Sequence, residues 1–395
     1  MILTTLFWLL FFIIVYTYAG YGILLWGLVQ LKKLFSKNDT PFDESYEPEV
    51  CLFVTAFNEK DYIAEKVENS FSLDYPKEKI QYVWVTDGSD DGTPDLLKKY
   101  SELEVYHQPE RRGKMHAMNR GMKFVKAPIV IFSDTNTILG KQSIREIVRQ
   151  FSNEKVGCVA GEKRIIEHDT ESAAGAGEGL YWKLESWIKK YDSELNTAVG
   201  AVGELFAVRT HLFEDVETDT LLDDFIISLR IAQKGYKIAY TPEAYAQETA
   251  SLNVKEELKR KVRIAAGGVQ TIFRLSSLLN IFRNGLLTWQ YISHKVLRWT
   301  ITPISVFLLY VVNFFVVVKN RSWAPDDFYT VFFYIQSLCY WVALIGWYFE
   351  NKKIRLKLFF APYYFVMINY AAILGILRYF KGRQSVNWEK SKRAM

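Results

Sequence analysis

The sequence predicts an α/β domain with a mostly parallel sheet, flanked by transmembrane helices, and three observations predict it. Short apolar runs alternate with helical periods between residues 40 and 255. Four long stretches outside that interval are apolar and almost free of charge. Carboxylates fall just past the ends of the apolar runs, where an open α/β sheet holds its ligands.

Leu3 to Leu28 contains no charged residue and exceeds the roughly 20 residues that a spanning helix needs. It is too long for the apolar part of a signal peptide, and no small-residue cleavage site follows Trp26, so it reads as an uncleaved anchor. Thr300 to Val318, Phe328 to Phe349 and Leu358 to Tyr379 are three further spans. Lys32, Lys33 and Lys37 follow the anchor at once, which puts the soluble domain in the cytosol. The basic loop Glu350 to Lys357 would be cytosolic too. Four spans then place the tail outside although it carries Lys381, Arg383, Lys390, Lys392 and Arg393, a conflict with the same rule.

These features divide the chain into an N-terminal transmembrane helix (1–31), an α/β domain (45–255), amphipathic interface helices (256–295), three transmembrane helices (296–380) and a basic tail (381–395). Lys37 to Glu49, with two prolines and five acids, is the one obvious hinge. Within the domain Val50 to Ala56, Tyr82 to Thr86, Glu104 to His107 and Ile129 to Ser133 read as strands. Helices are expected at Ile63 to Phe71, Thr93 to Tyr100 and Lys114 to Val125. The three cysteines, Cys51, Cys158 and Cys339, build no disulfide framework or zinc pattern. The net charge of +5 is concentrated between Ser251 and Arg298, where nine Lys or Arg face two acids. An apolar stripe from Val269 to Leu287, interrupted by Arg274 and Arg283, belongs against anionic headgroups.

The chemistry gathers at the strand ends. Asp134-Thr135-Asn136 sets a carboxylate just past a buried strand, in position to hold a metal on a phosphate. Asn58 and Glu59 follow the first strand and Asp87 the second, as candidate contacts to a base or ribose, although Asp87-Gly88-Ser89-Asp90-Asp91-Gly92 taken alone is equally a plain turn. Arg111-Arg112-Gly113-Lys114 brings cations to a helix N-terminus, which suits a diphosphate. Asp223-Asp224 opens an amphipathic segment as a second acidic site, or as a helix cap. His116 has no evident partner and reads as structural. Two separated acidic sites suggest metal-assisted group transfer with a distinct base.

Thr55-Ala56-Phe57-Asn58-Glu59, Asp87-Gly88-Ser89, Arg112-Gly113-Lys114, Asp134-Thr135-Asn136 and Leu222-Asp223-Asp224-Phe225, in this order and bracketed by spans, resemble a membrane-bound family 2 glycosyltransferase. The layout is similar to hyaluronan, chitin-oligosaccharide, poly-N-acetylglucosamine and cellulose synthases. The resemblance covers residues 50 to about 270 and the flanking spans. It implies a GT-A (Rossmann-like) fold and inverting transfer from a nucleotide sugar. It gives Asp87 to the uracil or ribose, Lys114 to the base or diphosphate, Asp134 with Asn136 to Mg2+ or Mn2+, and Asp224 to the general base. Processive members carry Q-x-x-R-W near the membrane. Here that place reads Arg260-Lys261-Val262-Arg263-Ile264, so Arg260 and Ile264 replace Gln and Trp, and the resemblance makes Arg263, for the donor diphosphate, and Arg260 candidates for binding the donor. Gly200 to Phe206 resembles the acceptor-side loop, and Tyr181, Trp182 and Trp187 line either a sugar path or the core.

The expected protein is therefore a metal-dependent transferase that moves a sugar, from UDP on this expectation, to a polysaccharide or lipid-linked acceptor at the cytosolic face of an inner or plasma membrane. Its partners would be the nucleotide-sugar donor, a glycan or lipid-linked acceptor and membrane lipids, with no nucleic acid. Addition of a single sugar to a lipid, or a catalytically idle polysaccharide-export subunit, are the alternatives.

Overall fold

The computed structural model describes residues 1–35, 43, 45–166, 173–321, 323–351 and 357–382. Most of the expected hinge and cytosolic loop, and the tail beyond Gly382, lie outside the described residues.

The four expected strands form, as β1 (Val50–Ala56), β2 (Ile80–Asp87), β3 (Leu103–Gln108) and β4 (Ile129–Asp134). They pair in parallel in the order β3-β2-β1-β4. Every residue of β1 is buried, as its unbroken apolar run requires of a strand covered on both faces. Cys51 and Phe53 enter one core layer with Phe132, Phe206 and Phe225, while Leu52 and Val54 enter the other with Trp84 and Ile147. The sheet then continues beyond the expected strands through β5 (Ile138–Leu139), β6 (Val156–Ile166), β7 (Leu205–Arg209) and β8 (Lys237–Thr249), eight strands in the order β3-β2-β1-β4-β7-β6-β8-β5. β7 runs antiparallel between β4 and β6, and β6 pairs with β8 in parallel. The result is a mostly parallel mixed sheet.

The N-terminal segment bends through a π turn at Tyr16–Gly20 between α1 (Ile2–Val15) and α2 (Tyr21–Phe35). The domain helices are α3 (Lys60–Ser72), α4 (Thr93–Leu97), α5 (Lys114–Met122), α6 (Ser143–Gln150), α7 (Ala173–Leu195) and α8 (Asp223–Gln233). α4 and α5 both stop about three residues short of the expected ends. The basic segment folds into α9 (Val254–Arg274), α10 (Ile281–Asn284), α11 (Leu286–Tyr291) and α12 (Leu297–Trp299). α13 (Ile301–Asn320), α14 (Phe328–Asn351) and α15 (Lys357–Phe380) follow.

Four helical segments are long and apolar enough to cross a membrane: Ile2–Phe35, Ile301–Asn320, Phe328–Glu350 and Ala361–Phe380. They are joined by polar contacts inside the bundle. Thr17 meets Thr302 at 2.9 Å, and Asn313 donates to Gln336 at 3.1 Å. α15 also grips the catalytic side: at Gly375 a Cβ would lie 2.5 Å from Ala265 and 2.9 Å from the Ala266 nitrogen of α9, so the helices cross at backbone distance. Ile272, Leu275, Leu278 and Leu287 from the apolar stripe pack in the same core layer as Phe225, so these four face the domain core and not headgroups. Arg274 reaches Asp219 at 2.6 Å and Thr220 at 2.7 Å.

Candidate active site

The carboxyl ends of β1, β2 and β4 open into two adjoining clefts of about 250 and 190 Å³. Thr55, Ala56, Phe57, Asp87, Arg111, Gly113 and Lys114 line the first. Thr55, Lys114, Ser133, Asp134, Gly203 and Asp223 are among those lining the second. Thr55 and Lys114 belong to both, so the clefts are two halves of one crevice. Parallel strands diverge beyond their last hydrogen bonds, which is why an open α/β sheet binds there.

Asp87 ends β2 almost fully buried. Its carboxylate accepts the backbone N–H of Arg112 at 3.0 Å and of Gly113 at 2.7 Å, which fixes the basic loop over the crevice. The Arg111 guanidinium lies 3.9 Å from the centre of the Phe57 ring. Asn58, at positive φ, donates from its amide to Asp90 at 2.8 Å and accepts the Asp90 N–H at 3.0 Å. The Glu59 N–H donates to Thr93 at 3.0 Å. Asn58 and Glu59 thus knit the β1 loop to the β2 loop at the rim, and neither lines a cleft.

In the second cleft α5 brings Lys114 between two carboxylates, 3.0 Å from Asp134 and 3.0 Å from Asp223. Burial would lower the Lys114 ammonium, but Asp134 and Asp223 hold it well above its ordinary value. Burial raises the Asp134 carboxyl. Lys114 opposes that rise, and Glu204 and Asp223 add to it. Asp224 is pushed up to about 7 by burial and by the negative charges of Asp223 and Glu204. Its neighbour across the cleft is Gly203, where a Cβ would come 3.7 Å from the Asp224 carboxylate. The loop takes this path because Gly200 adopts a φ of +84°, and a side chain there would meet Phe225 at 2.1 Å.

Asn136 turns its amide to Glu248 at 2.9 Å. Lys163, fully buried, donates to both Glu248 and Glu204. The floor is another buried cation: Lys66 donates to Ser133 and to the Thr137 carbonyl, each at 2.7 Å, and burial pulls its ammonium down to about 7 against the pull of Asp134. Sequence reasoning missed Lys66 and Lys163. For Lys66 a signal existed, since Ile63, Lys66, Val67 and Ser70 share one helical face and all are buried.

Arg260 and Arg263 stand apart from the clefts. Arg260 is buried on α9 and pairs with Glu257 through Nε at 2.9 Å and Nη2 at 3.1 Å, and Arg263 lies half-buried one turn on. Trp182 is approached by Lys163, Lys261 and Lys189 at 5.2, 5.9 and 6.0 Å from its ring centre.

The site thus collects Asp134, Asp223, Asp224, Glu204 and Glu248 around Lys66, Lys114 and Lys163 at the end of a parallel sheet. No group of three or more His, Cys, Asp or Glu side chains stands in metal-binding geometry among the described residues.

Poly-beta-1,6-N-acetyl-D-glucosamine synthase from Staphylococcus aureus (strain MSSA476) is 30% identical over 254 residues, 61% of this chain and 60% of that protein. The synthase of the same name from Staphylococcus epidermidis is 25% identical over 263 residues, 62% of this chain and 63% of that protein. The matched stretch spans less than two thirds of either relative. The mannosyltransferase PcManGT from Pyrobaculum calidifontis, solved with GDP-Man and Mn2+, superposes with a TM-score of 0.71 at 20% identity, over 95% of this chain and 99% of that one. That likeness establishes the GT-A fold, spans included. Residues 48–267, more than half of the chain, match the family described as "Glycosyltransferase like family 2". A crevice at the carboxyl ends of β1, β2 and β4, closed by a helix that begins Asp223-Asp224, lies wholly within that match, and the chain belongs to glycosyltransferase family 2.

Proposed function

We propose that the protein transfers a sugar, with inversion, from a nucleotide sugar to a polysaccharide or lipid-linked acceptor, at the cytosolic face of the membrane its spans occupy. The observation that carries this is Asp224: a half-buried carboxylate beside an open glycine, raised to about 7, beyond a lysine-bridged pair of acids. A group with that proton affinity is half-deprotonated at neutral pH and suited to general-base work. In the step proposed, Asp224 takes the acceptor hydroxyl's proton, the freed oxygen forms the new bond to the sugar's anomeric carbon, and the bond to the nucleoside diphosphate breaks.

Asp87 and the 111–114 loop form the cleft for the nucleotide, with UDP as the preferred test compound. The diphosphate would lie towards Lys114. A divalent cation, Mg2+ or Mn2+, fits the second cleft on charge: Asp134, Asp223, Asp224, Glu204 and Glu248 outnumber the lysines Lys66, Lys114 and Lys163. Asp134 would hold it, with Asn136 offering an amide oxygen if it turns from Glu248. Once bound, it would supply charge stabilisation for the leaving diphosphate. Arg263 remains a candidate for the diphosphate only if α9 moves toward the crevice on donor binding.

The test is Asp224→Asn in purified full-length protein. Metal-dependent UDP binding should persist while transfer falls at least about a hundredfold, the usual general-base contribution. Unchanged transfer would end the assignment. Product length in the same assay separates a polymer from a single addition. The replacement of Gln and Trp by Arg260 and Ile264 favours the shorter product.

A further inference from the structure

A second charged cluster lies on the membrane side of the domain, built by α7 and α12. Glu185 on α7 accepts from Lys295 and from His294 at 3.2 Å, and Arg298 Nη1 stands 3.4 Å away. The other face of His294 meets Asp192 at 2.7 Å, and Asp192 also accepts from Tyr21 of the first span and from Gln290 at 3.0 Å. One helical turn beyond Glu185 sits Lys189, only 3% exposed. Among the described residues it makes no hydrogen bond or ion pair; Glu185 feels its charge, and the Trp182 ring lies 6.0 Å away. Arg298 is 12% exposed, and its Nε and Nη2 are buried without a partner. Lys189, Lys295 and Arg298, none more than 12% exposed, gather beside Glu185 and Asp192, and both carboxylates are already engaged.

Uncompensated buried charge is costly, and a lysine so placed is retained where something else supplies the counter-charge. The position says what kind. Arg298 stands three residues before the span that begins at Ile301. On the outer face of α7, Leu184 and Trp187 are exposed, and Trp187 packs on Gly22 of the first span. A guanidinium with two vacant donors beside an ammonium matches the oxygens of a phosphate. We infer that Lys189 and Arg298 form a site for a phosphate group at the junction of α7, α12 and the first span, separate from the crevice at the sheet end. Two sources share that chemistry, a membrane lipid headgroup and a soluble phosphate.

Binding is measured independently of transfer, so it stands or falls apart from the proposed reaction. Full-length protein in a phosphate-free maltoside detergent is titrated with phosphatidylglycerol and, separately, with inorganic phosphate, against chloride of equal ionic strength. The thermal midpoint is followed. The wild-type midpoint should rise with at least one phosphate probe and not with chloride. A rise with phosphatidylglycerol alone identifies the headgroup, and a rise with inorganic phosphate identifies the soluble ion. Lys189→Gln and Arg298→Gln should each weaken apparent affinity about tenfold or more, as loss of a charge-assisted hydrogen bond predicts. Lys189→Gln should still fold, with an unliganded midpoint at or above wild type, because it removes an unpaired buried charge. No shift in the wild type with either probe, or equal responses in wild type and Lys189→Gln, would overturn the inference.

Discussion

The two charged clusters of this protein are opposites. At the sheet end, five carboxylates crowd three lysines, and Asp134 and Asp224 both sit above the ordinary carboxylate range. At the membrane junction, cations outnumber acids, and burial would raise Glu185, but Lys295, His294 and Lys189 hold it well below that range. A folded domain normally balances buried charge, so each imbalance marks a place where charge arrives from outside. The acidic cluster awaits a cation and a proton, and the basic one awaits an anion. The difference is one of sign and of construction: strands supply Asp134, Lys163 and Glu248 to the acidic cluster, whereas helical segments alone supply the basic one.

That comparison can be broken most directly at Asp134. Asp134→Asn removes the charge on which the acidic cluster's demand for a cation rests, and should lower metal-dependent transfer at least about a hundredfold, several kcal/mol of lost stabilisation. Full turnover at limiting Mn2+ would mean that the lysines already balance the acids. Next in size is Lys163→Met, which strands Glu204 and Glu248. It should cost about 3–5 kcal/mol, read as a lowered thermal midpoint, whereas Lys163→Arg should retain most of it.

The pH profile sharpens the contrast further. The base must be ionised, so kcat/KM should fall about tenfold per pH unit below an inflection near 7, and Asp224→Asn should lose that limb. A flat profile from pH 5 to 8 would separate Asp224 from the chemistry. The smallest effect expected is at Arg274, whose partner Asp219 is more than half exposed: Arg274→Gln should change stability by about 1 kcal/mol or less, in chemical denaturation.

Much of this was legible in the sequence because periodicity reports burial. β1 begins and ends where its apolar run does, and the four spans follow from length and hydropathy. β5 to β8 were not legible. β7 is five residues inside a Gly-rich loop and pairs antiparallel with β4, which no local pattern announces. Asp134, Lys114 and Asp224 were legible as chemistry at strand and helix ends, and the fold brings them to one crevice with Asp223. Lys163 was hidden because a lysine in a strand reads as a solvent-facing residue until its two carboxylates, 41 and 85 positions away, are folded over it. Arg260 shows the converse: its place in a motif suggested a ligand, yet Glu257, three residues earlier on the same helix, takes two of its nitrogens.

The crossing of α9 and α15 at Gly375 has a consequence for how the chain is made. α9 leaves the ribosome with a small-residue face, Ala265 and Ala266, whose complement, α15, is synthesised well after it. Tyr364 of α15 also donates to buried Glu257 at 3.1 Å. That face of α9 is therefore covered only once α15 has been made, and a chain stalled before α15 would expose an unfinished helix face to quality control.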